Sequence, residues 1–204
     1  MTIIIFGYTT AMQPKPSRRE TTHERIVEVA ARALRRHGYA GVGVADVMKQ
    51  AGLTHGGFYA HFPSREALLA EALVHAGRDS AARMGRRISQ RKALGQSALR
   101  ALVESYLSET HLREVEGGCV VAALGSEMHR QAPTLLAPSA ERVQGLIAMV
   151  QNALPAGGTL EQAMVIASTL VGALQLARTL GINAQGKALL AAARSALLAQ
   201  YDPA

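Results

Sequence analysis

Tryptophan is absent from this 204-residue chain, aromatic residues make up only 4% of it, and there is a single cysteine. One cysteine excludes an internal disulfide framework and suits a reducing cytoplasm, where the chain is expected to reside. With aromatics scarce, a core must be built from Leu, Ala, Val and Met, which suits packed helices better than a sheet. Catalytic signatures are missing too: there is no G-x-S-x-G, H-E-x-x-H, glycine-rich phosphate loop or C-x-x-C cluster. An enzyme is therefore not expected, and no cofactor is implied. His111, Cys119 and His129 are the only plausible metal trio, but their spacings of eight and ten residues match no common site, so no metal is expected. The longest apolar run, Met164 to Leu180, has 17 residues and carries Arg178 with Ser, Thr and Gln. It reads as too short and too polar for a membrane span, and as a helix buried between neighbours instead.

What is present is unevenly distributed. The chain is 49% hydrophobic and 18% charged, with a net charge of +7. From Lys15 to Lys92, fifteen Lys and Arg stand against seven acids, so the excess lies in the first half and the remainder is close to neutral. A basic half joined to a neutral half is the electrostatic footprint of a nucleic-acid binder with a separate second domain.

Within the basic half, Ala51 to Phe62 (AGLTHGGFYAHF) carries the most information. Gly52 suits the left-handed backbone that closes a short helix, and Thr54 is a candidate N-cap for the next. His55, Gly56, Gly57, Tyr59, Ala60 and His61 are polar, small or stacking types, whereas Phe58 and Phe62, four apart, can anchor the other side to a core. Two helices joined by such a glycine-bearing turn form a helix-turn-helix, whose second helix enters the DNA major groove.

The run from about Ile26 to Leu69 resembles the DNA-binding domain of the TetR/AcrR family of bacterial regulators. The resemblance rests on Ile26, Ala30, Gly38-Tyr39, Val44 to Val47, Ala51 to Thr54, Phe58 to Phe62 and Ser64 to Leu68. The chain departs from that pattern at Val42-Gly43, where the family commonly has Thr or Ser as a cap. The resemblance implies base reading by His55, by the backbone at Gly56 and Gly57, and by the surface of Ala60. It assigns phosphate contacts to Thr54, Tyr59, His61 and Arg65. It also implies a homodimer through the last two helices, bound to palindromic double-stranded operator DNA. A small-molecule or electrophile inducer in the second domain would release that DNA.

The expected fold is all-α: a three-helix helix-turn-helix DNA-binding domain over 17–63, then a helical signal-binding and dimerisation domain over 64–204. Residues 1–16 show no helical period and read as a disordered arm, or as preceding a true start at Met12. The first helix is expected from Glu20 to His37, capped by Thr21 or Thr22, with Arg25, Arg32, Arg35 and Arg36 free to lie along DNA. Ser64 should cap a helix ending near Arg86, interrupted at Gly85. Further helices are expected at 98–112, 119–130, from Pro133 or Pro138 to 154, at 160–180 and at 185–201, about nine in all. Tyr106, His111 and Gln175 are candidate pocket residues, and Cys119 a candidate thiol sensor or a silent core residue. The functional expectation is a signal-responsive transcriptional regulator, most simply a repressor. The alternatives are an architectural DNA protein without sequence preference and, behind it, an enzyme.

Overall fold

The computed structural model describes residues 17–202; the expectations for residues 1–16 lie outside them. Among the described residues there are nine α-helices, one 3-10 helix and no strand.

Helix α1 spans Arg18–His37. It begins two residues before the expected start because Ser17, not Thr21 or Thr22, is its cap. The Ser17 hydroxyl accepts from the Glu20 N–H at 3.2 Å, and the Glu20 carboxylate accepts from the Ser17 N–H at 2.7 Å. This reciprocal pair satisfies two otherwise orphaned donors. Thr21 and Thr22 lie inside the first turn and donate back to the carbonyls of Ser17 and Arg18. Ile26, Ala30 and Leu34 are fully buried, as the helical period requires. Gly38, at φ 71°, ends the helix.

Helix α2 spans Val44–Gln50, with Gly43 as a cap that offers no side-chain bond. Gly52 then adopts φ 71°, the left-handed turn expected of it. A 3-10 helix, His55–Ala60, follows where a longer α-helix was expected. Phe58 and Phe62 behind it are buried, with ring centroids 5.6 Å apart.

Helix α3 spans Arg65–Ala93 and is capped by Ser64, whose hydroxyl accepts from the Ala67 N–H at 3.1 Å. At 29 residues it is about 43 Å long, and it continues straight through Gly85. The expected end near Arg86 fails because the final turns are held from outside. Arg87 pairs with Glu114, Arg91 pairs with Glu104 at 2.5 Å, and Ile88 packs on the core. Packed against α1 at its start and α4 and α7 further along, α3 belongs to both halves of the molecule.

The remaining helices are α4 (Ala98–Tyr106), α5 (Glu109–Arg113), α6 (Val120–Met128), α7 (Pro133–Gln151), α8 (Leu160–Leu180) and α9 (Ala184–Tyr201). The single helix expected over 98–112 is split, because Ser108 caps α5 by accepting from the His111 N–H at 3.1 Å. Pro133 takes the first turn of α7, where its missing N–H costs nothing, and Pro138 lies inside the helix. α8 packs on α7 and α9, and α9 returns to α4.

At 21 residues α8 has the expected bounds, and by length and composition alone it passes as a membrane-spanning helix. Its capping box at Thr159 and Gln162 and its packed residues Ile166, Leu170 and Leu174 place it as a core helix of this fold.

Replacing Ser17 by Ala should lower stability by about 1 kcal/mol, and by Gly only a few tenths. Urea unfolding monitored by helical circular dichroism checks this; equal losses for the two variants would mean the cap is not the source.

Candidate nucleic-acid interface and interior cavity

The N-terminal helices present one exposed edge. Thr54, His55, Gly56, Tyr59 and Ala60 are exposed, Tyr59 at 73%, and Gly57 and His61 are half-buried. The Thr54 hydroxyl makes no cap bond; instead the Thr54 carbonyl accepts from the Gly57 N–H at 3.1 Å in the 3-10 turn. Packing does not demand Gly56, since an added Cβ would meet nothing within 4 Å. At Gly57 a Cβ would make only ordinary contact, 3.6 Å from the Met48 methyl. Small residues the fold does not require leave room for something outside the chain to approach the backbone.

Behind this edge lies a brace that the sequence reading missed. Arg19 of α1 donates to the Ala60 carbonyl at 2.9 Å. His23, one turn on, stacks on Phe62 at 4.4 Å and faces the Glu71 carboxylate at 2.6 Å. His61 sits 5.9 Å from the His23 ring, and its buried Nδ1 has no partner. Burial, then the charges of His23 and Arg19, push the His61 pKa below its ordinary value, so this ring is neutral near pH 7. The i, i+4 spacing of Arg19 and His23 is the one sequence signal that could have placed both on this face.

Arg65 turns inward. Its Nε donates to the Val42 carbonyl at 3.0 Å and its NH2 group to the Tyr39 carbonyl, which ties the turn before α2 to the start of α3. The basic residues of α1 are also less free than expected. Arg35 is buried, donating to the Ala76 carbonyl and to Asp79, both at 3.1 Å. Arg36 pairs with Glu116 at 2.6 Å and Arg32 with Glu28 at 2.5 Å. Periodicity had placed these side chains off the apolar stripe, but not what α3 and the α5–α6 loop would offer them.

A cavity of about 150 Å³ opens between α3, α4, the α5–α6 loop and α7. Tyr106, His111 and Cys119, from the end of α4, α5 and the cap of α6, meet on its wall. Gln175 does not join them; its amide lies near Gly125 of α6. His111 is fully committed: Nδ1 donates to the Tyr106 carbonyl at 2.7 Å, and Nε2 accepts from the Cys119 N–H at 2.9 Å. These bonds define a neutral tautomer with no nitrogen left for a metal. Burial pulls the His111 pKa down to about 4; the bond to the Tyr106 carbonyl opposes that shift, and the Arg178 and Arg87 charges add to it. Gly118 is required here, because a Cβ would sit 2.5 Å from the Glu114 carbonyl. The Tyr106 hydroxyl is buried with only the Cys119 sulfur, a weak acceptor, beside it, and burial first, then the Cys119 side chain, hold the phenol well above its usual pKa. No cluster of three metal-ligating side chains occurs among the described residues.

A helix-turn-helix edge carried on a rod shared with a cavity-bearing helical body defines a bacterial transcriptional regulator of the helix-turn-helix type. Residues 26–72 match the family described as bacterial regulatory proteins, tetR family. Two helix-turn-helix-type transcriptional regulators of Mycobacterium tuberculosis, MT0206 and Rv0196, are each 31% identical over 166 residues, covering 76% of this chain and 83% of theirs. The chain belongs to the TetR family of transcriptional regulators. Solved structures agree on the fold. A TetR regulator from Legionella pneumophila superposes with TM-score 0.72 at 19% identity, covering 93% of this chain and 100% of that one. The reduced form of E. coli NemR does so with TM-score 0.68 at 20% identity, covering 87% and 95%.

His111 gives this architecture a pH signature. Its proton is held near 6.5 in the unfolded chain and only near 4 in the folded one. The stability it contributes is therefore complete above about pH 6.5 and is lost as pH falls from 6.5 through 4. Between pH 7.5 and 5 that loss should be about 2 kcal/mol in urea unfolding. His111→Gln should remove this part of the pH dependence; identical slopes in the two proteins would show that another group is responsible.

Proposed function

We propose that this TetR-family regulator is a cytoplasmic repressor that binds a palindromic operator as a homodimer and is released by a small molecule held in the cavity. The observation that carries the reading is the exposed edge at Thr54–Ala60, with two glycines the fold leaves open. His55, the backbone of Gly56 and Gly57, and the Ala60 surface are the proposed base readers. Thr54, Tyr59 and His61 are the proposed phosphate contacts, and Arg65 contributes chiefly by fixing the turn beneath them. The DNA-binding domain is proposed as 17–63, and 64–204 as the signal and dimerisation domain. A regulator rather than an enzyme accords with the relatives and the fold.

The dimer proposal rests on α8. Val165 (51% exposed), Leu176 (59%) and Leu180 (42%) lie at helical spacing along one face with Gly172 between them, where an added Cβ would meet nothing within 4 Å. An apolar stripe with a small residue at its centre permits close approach of a second copy of α8, with the alanine-rich α9 beside it.

Release needs a ligand that binds two arrangements of the dimer with different affinity. Two connections run from the cavity to the reading edge. One is a chain of ion pairs: Arg83 and Arg87 on the cavity wall hold Glu114, and Glu116, two residues on, holds Arg36 at the end of α1. Partly exposed pairs contribute only about 0–1 kcal/mol each. The second connection, α3 itself, therefore dominates, with α6 adding a contact where the Glu127 carboxylate accepts from the Tyr39 N–H at 3.0 Å. A thiol-reactive signal is the second reading, favoured by the half-buried position of Cys119 on the same wall.

Genomic fragments enriched by the purified protein should contain an inverted repeat, and binding should keep a large specificity ratio over random DNA as salt rises. Loss of that ratio would point to an architectural phosphate binder. On the enriched site, His55→Ala should change base preference at one or two positions by about 1–3 kcal/mol, while Tyr59→Phe should weaken all sequences alike. Equal loss on specific and random DNA for His55→Ala would remove its base-reading role.

Leu176→Glu should give a monomer in sedimentation with at least a hundredfold weaker operator binding. A dimer that persists in this variant and in Val165→Glu would move the interface off α8.

A further inference from the structure

The cavity wall has an excess of hydrogen-bond donors. Tyr106 is 1% exposed, and its hydroxyl has no acceptor beyond the weakly accepting sulfur of Cys119. Arg142 is in the same position: its NH2 group reaches Glu141 at 3.1 Å, but its Nε is buried and unpartnered. Buried donors without acceptors are uncommon in folded chains, and here two line one cavity. His111 cannot serve either, since both its nitrogens are already bonded.

The Arg142 position is built. Its side chain lies over Gly77 in the middle of α3, where an added Cβ would come within 2.4 Å of the Arg142 Cδ and 2.8 Å of a terminal guanidinium nitrogen. Glycine weakens a helix interior, so its presence there has a packing reason, which is to seat this guanidinium against the helix. Arg83 and Arg87 also line the wall, but both are already paired with Glu114, and Arg83 with Asp79 as well; Glu141 is the one carboxylate among the lining residues, and its side chain is 60% exposed. The rest of the wall includes Met84 and Met149, whose thioethers favour contact with aromatic rings, beside Val121 and Leu146. A cavity of about 150 Å³ is the size that accommodates a single benzene-like ring.

We infer that the cavity takes a single-ring aromatic carboxylate bearing a second acceptor, with the carboxylate held by Arg142 and the other acceptor by the Tyr106 hydroxyl. This rests on the reading of the cavity as the signal site. The ligand supplies the two missing acceptors, and its negative charge competes with Glu141 for Arg142. Cationic aromatic compounds offer the Arg142 guanidinium no acceptor and are rejected.

Isothermal titration of the full chain, without DNA, with 4-hydroxybenzoate, benzoate and 4-hydroxybenzamide tests the inference. 4-Hydroxybenzoate should bind at least tenfold more tightly than either of the others. Arg142→Gln should weaken both acids tenfold or more and leave the amide unchanged, and Tyr106→Phe should erase the advantage of 4-hydroxybenzoate over benzoate. Gly77→Ala, which favours the helix but displaces Arg142, should reproduce the loss of acid binding in a protein at least as helical as the wild type. An amide that binds as well as its acid, acid affinity unchanged in both Arg142→Gln and Gly77→Ala, or no binding of either acid at millimolar concentration would overturn the assignment. Because no DNA is present, these outcomes are independent of the operator measurements. Acid binding with no effect on operator affinity would keep the ligand class and reject the signal role.

Discussion

Everything in this molecule hangs on α3 burying its apolar side against two different partners. Leu68, Leu69, Ala72, Leu73 and Ala76 are buried in the half of α3 that packs on α1, and Met84 and Ile88 belong to the cavity and body. Each fully buried Leu there is worth about 1.5–3 kcal/mol, well above any of the surface ion pairs around it. The N-terminal helices are thus not tethered by a flexible linker. They share one continuous helix with the body.

Two kinds of polar contact refine that arrangement. Local ones fix the ends of elements: the caps at Ser17, Ser64, Ser108 and Thr159 set where helices begin. Long-range ones fix the relation between elements. Arg65 ties the Tyr39–Val42 turn to α3, Glu127 ties the same turn to α6, and Arg178 of α8 donates to the His111 carbonyl at the end of α5 at 2.9 Å. The turn at Gly38 and Tyr39 is therefore held from both sides, by the rod and by the helix that opens beside the cavity.

The turn and the exposed edge after it were legible from sequence because their geometry is local. Gly52, Phe58 and Phe62 are a turn residue and two anchors within eleven positions, and helical geometry alone decides which way each faces. The cavity was only partly legible. Tyr106, His111 and Cys119 stood out as polar or reactive groups in apolar stretches, but nothing in their spacing showed that they share a wall. Gln175 stood out for the same reason and lies elsewhere. Arg142 did not stand out at all, since an arginine on an amphipathic helix reads as solvated until Gly77 is found beneath it.

Helix content, the Ser64 cap and the helix-turn-helix edge followed from the sequence by itself, because propensity, capping and the 3.6-residue period act over a few neighbouring positions. What only the tertiary structure decided were the properties that depend on partners outside a residue's own helix. α3 runs past Gly85 because Glu114 and Glu104 hold its last turns. Arg35 is buried because α3 offers it Asp79 and a carbonyl. His111 is a neutral structural residue because the Tyr106 carbonyl and the Cys119 N–H take both its nitrogens in a site shielded from water. A side chain's charge state and role depend on what surrounds it in space, and one-dimensional spacing carries that information only when the surroundings are themselves local.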